Sequence, residues 1–382
     1  MSASFEVRVD CRHYRGDRPC FPGYVCTADC DRYESPGRRV LVIKVGALGD
    51  VVRTTPLLSS LPLALGPVHI TWITHPAAAP LLRGLDSLAR VWTIDDPLLP
   101  CRVAAEKFDL AICLEKEPDS CCIMAAVQAA ESRGYTLDER GAVVPVDSRA
   151  EYLWRLGLDD NEKFFVNQKT YPVLVHEAIG LDWSGEPYRI SLPDANRERA
   201  QRHLEQMGVL PARNPVVGFQ TGAGGVFANK EYTVEGLARV IDRLVEDAGI
   251  IPVLLGGPQE VERNRAVVAA VSHPVFDAGV QHDIVTFAGI VSYMDVVLAG
   301  DTLAMHLALA LGRRVVAIFG PTCAQEIELF GLGEKVITPA ECSPCYRRSC
   351  DIEPSCMDLI SPATVVEALV RQLARISEGT AP

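Results

Sequence analysis

Residues 277–322, DAGVQHDIVTFAGIVSYMDVVLAGDTLAMHLALALGRRVVAIFGPT, decide the fold. Apolar runs of strand length, VVLAG and RVVAIF, alternate with short stretches of helical spacing. The polar residues Asp301, Thr302 and His306, then Gly320, Pro321 and Thr322, fall where strands should finish. Strand ends are where open α/β sheets hold their ligands. The stretch is therefore expected to be a binding floor, with the chemistry facing it supplied from earlier in the chain.

Working outward, 382 residues at roughly 150 per domain predict two domains. The earlier half repeats the alternation. RRVLVIKV (38–45) predicts a strand, GALGD (46–50) a tight turn and VVRTTPLLSSL (51–61) one helix. VHITWITH (68–75), residues 89–96 with Val91 and Ile94 inward, and FDLAICLE (108–115) predict three further strands. CCIMAAVQAA (121–130) is expected as a buried helix carrying Cys121 and Cys122 as small core residues. The segment 164–183 predicts a helix and a turn that close the first domain, and SLPDANRERAQRHLEQMG (191–208) a charged helix capped by Asp194. Strand, Gly-rich loop, helix and strand then follow in PVVGFQTG (215–222), GAGGVFANKEYT (222–233), VEGLARVIDRLVEDAG (234–249) and IIPVLLGGPQE (250–260). The expected organisation is a Cys-rich segment 1–37, Rossmann-like domains 38–190 and 191–341 facing across a cleft, and a Cys-rich segment with a helix, 342–382.

Composition narrows the function. The net charge of −12, from 37 basic and 49 acidic residues without long runs of one sign, argues against nucleic acid as a partner. The N-terminus lacks the order of a secretion signal, and no run of about 18 apolar residues occurs. A cytoplasmic protein is expected, so the 13 cysteines point to thiols or metal ligands before disulfides. Cys11, Cys20, Cys26 and Cys30 lie in a segment too poor in apolar residues to form a core. Cys342, Cys345, Cys350 and Cys356 begin with the C-x-x-C spacing of chelators. Structural zinc or iron, including iron with sulfur, suits such thiolates. Disulfides and an incidentally Cys-rich arm are the plainer readings, and one site drawing on both clusters is a further arrangement.

Two loops carry the candidate chemistry. At Gly46–Asp50 a glycine-rich strand-to-helix turn aims backbone N–H groups at the cleft, with Asp50 at its mouth. An Asp there most often only caps its helix. Gly46 and Gly49 do not make a dinucleotide fingerprint, which disfavours a nicotinamide enzyme. Thr221, Gly222, Gly224, Gly225 and Lys230 form a loop able to approach a phosphate, equally readable as an ordinary surface loop. Beyond it, Glu260 stands at the next Gly-Gly turn. His306 lies in an otherwise apolar helix, where a histidine is usually a core residue.

Together, VLVIKVGALGDVVRTTPLLSSL (40–61), GFQTGAG (218–224) with Lys230, AGDTLAMHLALALGRRVVAIFGPT (299–322) and the CSPC segment followed by ISP resemble the bacterial heptosyltransferase family. The resemblance runs from about Arg38 to the C-terminus and implies a GT-B fold. It implies transfer of a heptose, with inversion, from ADP-heptose to a glycan or lipid-linked acceptor of lipopolysaccharide or another surface glycan. Asp50 matches the family's base. Lys230 and Thr221 match positions holding the donor diphosphate, Asp301 the donor-sugar aspartate and His306 the histidine after it. Gly222, Glu260, Thr302 and a helix N-terminus at Gly320, Pro321 and Thr322 complete the expected donor side. Lys44, Gly49 and Arg53 flank Asp50 on the acceptor side. No metal is needed for such a displacement, and the one Asp-x-Asp, at 29–31, is not at a strand end. The family's Ser-Gly after the aspartate is Thr302-Leu303 here, which leaves open a different nucleotide sugar. A metal-binding scaffold without catalysis is the reading from another class. The family also implies peripheral work at the inner membrane.

Overall fold

The protein is described here by a computed structural model covering residues 6–224 and 228–377; Gly225 of the Gly-rich loop at 222–233 lies outside them. Two six-stranded sheets organise the chain. The first contains β1 (Arg38–Ile43), β2 (Val68–Thr74), β3 (Leu88–Thr93), β4 (Lys107–Cys113), β5 (Gln128–Leu137) and β6 (Val143–Pro145), in the order β3-β2-β1-β4-β5-β6. All neighbours are parallel except β5 and β6. The second contains β7 (Val216–Gln220), β8 (Ile251–Leu255), β9 (Phe276–Asp277), β10 (Val296–Gly300), β11 (Arg314–Phe319) and β12 (Gly333–Ile337), all parallel, in the order β12-β11-β10-β7-β8-β9. Counted from its own first strand, each sheet has the order 3-2-1-4-5-6 of a Rossmann fold. The order reverses between β1 and β4 and between β7 and β10, and a crevice opens at each reversal.

Helices cover both faces of the sheets, so inner strands are buried along their whole length: every residue of β2 and β11 is buried, and most are apolar. The first half carries α1 (Leu48–Thr54), α2 (Leu57–Leu65), α3 (Ala79–Leu82), α4 (Leu99–Ala105), α5 (Pro118–Ala126), α6 (Glu151–Arg155) and α7 (Tyr171–Ala178). The second carries α8 (Asp194–Gln206), α9 (Val234–Ala248), α10 (Val261–Ala270), α11 (Ile284–Val291), α12 (Leu303–Ala310) and α13 (Pro362–Ser377). Helix α9 shows why these segments fold as they do. Thr233 caps it by accepting from the Gly236 amide at 3.0 Å, Leu237, Val240, Ile241 and Leu244 form its buried stripe, and Gly249 ends it with φ 60°.

The halves also share a core. Val52 of α1, Leu81 of α3 and Tyr188 join the buried cluster of Met305 and Leu307 on α12. The crossing strand is tied to the first half, with the Arg189 amide donating to Thr55 Oγ1 at 2.8 Å and the Ser191 amide to the Leu81 carbonyl at 2.7 Å. This contact brings the two crevices face to face.

Several expectations need correction. The single helix over 51–61 is two, α1 and α2, because Pro56 has no N–H to continue the first. In β3 the buried residue is Trp92, while Val91 and Ile94 are half-buried. The helix at 121–130 stops at Ala126, and Gln128 begins the long strand β5, whose polar residues hid it. Cys121 is buried but Cys122 is exposed. Asp194 does not cap α8; it lies in the first turn behind Pro193. No α-helix starts at Gly320–Thr322, where β11 runs into a three-residue 3-10 turn, Ala324–Glu326, so no helix dipole faces a phosphate there.

Candidate active site

At the first reversal the chain leaves β1 through Lys44, Val45 and Gly46 and enters α1. Ala47 holds the N-cap position without a side-chain bond, and Asp50 is not the cap. Its Oδ1 lies 3.0 Å from Arg53 Nε, one turn on, and 39 % of its side chain still meets solvent. The Arg53 guanidinium is stacked 3.7 Å above the Tyr171 ring and almost enclosed. Burial pushes the Asp50 carboxyl up, but Arg53, Lys44 and His306 outweigh it and hold it below the ordinary value.

The second reversal supplies the opposing wall. Asp301 follows β10; its Oδ2 is 3.4 Å from Lys230 Nζ and its Oδ1 is 3.8 Å from His306 Nε2. Burial opposes ionisation, yet His306, Lys230 and, more distantly, Arg53 keep Asp301 well below the carboxylate range. His306 is 3 % exposed and is more than core filling. Its ring lies so close to Gly49 that a Cβ there would meet His306 Cδ2 at 2.8 Å, so glycine permits the approach of the two halves. His306 Nδ1 and Thr302 Oγ1 are buried without hydrogen-bond partners, polar atoms left over beside Asp301.

A pocket lies under the end of β7, lined among others by Thr221, Gly222, Lys230 and Gly300, and Lys230 links it to Asp301. A carboxylate on one wall thus faces a lysine, an aspartate and unpartnered polar atoms on the other. That arrangement suits group transfer between two bound substrates.

The sequence profile of Glycosyltransferase family 9 (heptosyltransferase) matches residues 99–355, which is more than half the chain. The chain belongs to this family. It is a glycosyltransferase, and its fold is GT-B. A family 9 glycosyltransferase from Veillonella parvula aligns with TM-score 0.69 at 19 % identity over 88 % of this chain and 98 % of that one. The E. coli ADP-heptose lipopolysaccharide heptosyltransferase II aligns with TM-score 0.63 at 17 % identity over 89 % and 99 %. The iron-containing dodecameric glycosyltransferase TibC of enterotoxigenic E. coli aligns with TM-score 0.55 at 13 % identity over 89 % and 77 %. A search of curated protein sequences found no match.

Not every expected residue of this family 9 transferase reaches the cleft. Thr221 is buried, its hydroxyl turns inward to Asn264 Oδ1 at 2.6 Å, its amide donates to the Leu255 carbonyl at 3.1 Å and its carbonyl accepts from Arg263 Nε, so it offers no group to a ligand. Glu260 is buried under the Gly222 loop, where it accepts from the amides of Gly257 at 2.7 Å and Gly224 at 2.9 Å. It braces the loop. A side chain at Gly222 would collide with it. Gly320 and Pro321 are occupied: their carbonyls accept from Ser343 Oγ and from the amides of Cys345 and Tyr346, and Thr322 is buried. Lys44 is buried on Glu115 at 3.1 Å and not presented to an acceptor. Leu303 is half-buried and packed against the shared core.

Sequence reasoning missed Tyr188, whose buried hydroxyl has no partner and whose ring lies 5.8 Å from that of His306. It also missed Gln220, with an unpartnered buried Oε1 in the pocket wall. Tyr188 lies outside every motif read from the sequence, and Gln220, although inside GFQTGAG (218–224), stands at a strand end where no local pattern tells a wall residue from a core one.

The cysteines gather without forming ligand sets. Cys11, Cys20, Cys26 and Cys30 line one pocket with Arg8, His13 and Tyr33. Burial pushes Cys356 up to about 11, helped by Cys345, Cys342 and Cys350 nearby. Among the described residues, however, no three His, Cys, Asp or Glu side chains are arranged to hold a metal ion. The expected zinc or iron therefore has no formed ligand set among the described residues, and no step of the chemistry is assigned to it. The C-terminal segment instead spans the cleft: Tyr346 stacks on Phe164 at 5.5 Å, and Lys163 Nζ lies 4.0 Å over its ring.

Proposed function

We propose that this enzyme transfers a heptose from ADP-heptose, with inversion, to a hydroxyl of a lipopolysaccharide or other surface-glycan acceptor. The observation that carries the reading is the opposition of Asp50 to Asp301, Lys230 and His306 across one crevice. In a single displacement the Asp50 carboxylate takes the proton of the acceptor hydroxyl as its oxygen attacks the anomeric carbon and the nucleoside diphosphate departs from the opposite face. Lys230 meets the charge growing on the departing phosphate. The unpartnered Thr302 Oγ1 and His306 Nδ1, with Asp301, meet the sugar hydroxyls. Support for the donor comes from structural neighbours: the E. coli heptosyltransferase WaaC is described with ADP and with ADP-2-deoxy-2-fluoro heptose, and TibC with ADP-D-beta-D-heptose.

In this reading residues 38–190 bind the acceptor and 191–341 the donor, with the boundary near Ile190 between the end of β6 and the start of β7. The work is placed on the cytoplasmic side of the inner membrane; no helix among the described residues is long and apolar enough to cross a membrane. The cysteine segments take a structural metal, supported by the gathering of four thiols in each and by the iron named for TibC. Binding would have to draw the thiols together and so would couple to folding of these segments.

The test is incubation with ADP-heptose and a deacylated core-glycan acceptor, with the new linkage read by NMR. An inverted anomeric configuration, lost in Asp50→Asn, is expected. Turnover of another nucleotide sugar in place of ADP-heptose overturns the donor, and a retained configuration overturns the mechanism.

A further inference from the structure

The first crevice holds a buried carboxylate that the proposed chemistry does not use. β1 and β4 are neighbours at the reversal, with Ile43 paired to Cys113 and the Leu114 amide donating to the Ile43 carbonyl at 3.0 Å. One residue later the Glu115 side chain turns beneath the β1–α1 turn. Its Oε1 accepts from the Val45 amide at 2.6 Å and from the Gly46 amide, and lies 3.1 Å from Lys44 Nζ. Glu115 and Lys44 are each 4 % exposed, so this is an interior pair and not a rim salt bridge.

The contacts around it keep Glu115 in place. Its carbonyl accepts from the Cys121 thiol at 3.3 Å, and the Lys44 carbonyl accepts from Trp72 Nε1 at 3.2 Å. A Cβ at Gly46 would stand 3.0 Å from Glu115 Oε1, so a side chain there would press on the carboxylate. Burial alone would strip the charge from Lys44, but Tyr171, Glu115 and Asp50 hold its ammonium above the ordinary value. Burial raises the Glu115 carboxyl against the pull of Lys44 and the Gly46 amide, so the Lys44 ammonium is the fixed charge between this buried acid and Asp50 in the cleft. Asp50 follows Gly46 by four residues.

We infer that Glu115 is a positioning residue for the transfer: by gathering the Val45 and Gly46 amides and the Lys44 ammonium on one carboxylate, it sets the turn that aims Asp50 at the acceptor. The inference rests on the reading of Asp50 as the base. A base must lie within hydrogen-bond reach of the proton it takes, and a displacement of about 1 Å is worth about 100-fold in rate.

The test compares wild type, Glu115→Gln and Asp50→Asn, with turnover of ADP-heptose counted per ADP-binding site and hydrogen exchange followed in a peptide covering residues 44–50. Glu115→Gln is expected to lower kcat by about 10–100-fold with KM for ADP-heptose within about twofold, and to speed exchange in that peptide. Counting per binding site removes the effect of misfolded enzyme, and the exchange readout does not depend on the donor. If Glu115→Gln does not fold, Lys44→Met with Glu115→Leu removes both charges together, and the same loss of kcat at retained ADP binding is expected. Wild-type kcat in the folded variant while Asp50→Asn is inactive overturns the inference alone, as does unchanged exchange. Full turnover in Asp50→Asn overturns the base reading and this inference with it.

Discussion

Asp50 and Arg53 stand one helical turn apart, and the cations near Asp50 set both its orientation and its acidity. Because its carboxyl is held below the ordinary value, the acidic limb of kcat/KM is expected below about pH 4, and a limb at pH 5 or above would remove Asp50 as base. Asp50→Asn should lower kcat by about 10²–10⁴-fold with ADP affinity unchanged. Lys230 touches the other carboxylate of the pair, so Lys230→Ala should weaken ADP binding and lower kcat/KM by about 10²-fold, measured by titration and steady-state kinetics. Unchanged ADP affinity would take Lys230 out of the donor site. His69 offers a stability test away from the cleft. Burial, then Arg90, Arg39 and Arg12, lower its pKa to about 4, and neither ring nitrogen has a partner. A lowered histidine means the unfolded chain binds the extra proton first, so stability is full above about pH 6.5 and falls toward pH 4. The loss by pH 5 should be about 2 kcal/mol in urea unfolding, and should shrink in His69→Phe.

Among the elements, those with a local signal were legible and those without one were not. Helix α9 has a cap, a stripe and a terminal glycine, and its expected extent survives intact. Thr233→Ala should cost about 1 kcal/mol of stability in urea unfolding, while Thr233→Ser should be near neutral. The strands of both sheet centres were legible because burial on two faces demands continuous apolar runs. β5 was not: it carries Glu131, Ser132 and Arg133 in mid-strand and pairs across to the short β6, so its alternation is broken. The Thr302-Leu303 pair looked like a gap in the sugar site. In the fold Leu303 fills the core shared by the halves, and Thr302 brings an unpartnered hydroxyl to Asp301, which gives the departure a structural use.

For the whole molecule, the cleft is the unit of function, and what closes it matters as much as what lines it. Tyr346 on Phe164 ties the C-terminal segment to the first half, and the Gln325 side chain, donating to the carbonyls of Lys163 and Phe164 at 3.2 and 3.1 Å, ties the second half to it. Tyr346→Ala should lose about 1 kcal/mol of stability. A ligand that binds the folded cleft should raise the melting temperature, with ADP at 100 times its Kd adding about 2.7 kcal/mol; UDP matching ADP would count against an adenine donor.

By itself the sequence determined two parallel α/β halves, the position of each crevice loop and the residue types at their mouths, because strand burial, glycine turns and helix caps are local demands. It also carried Asp50, Arg53, Asp301 and His306 as separate candidates, at the mouths of the two crevice loops. The tertiary structure decided which of the candidates meet. It set His306 against Gly49, turned Thr221 and Glu260 inward, covered Gly320 and Pro321 with the cysteine segment, and placed Glu115 under Lys44. Those outcomes depend on side chains distant in sequence sharing one volume, and no local pattern records which of them will be neighbours.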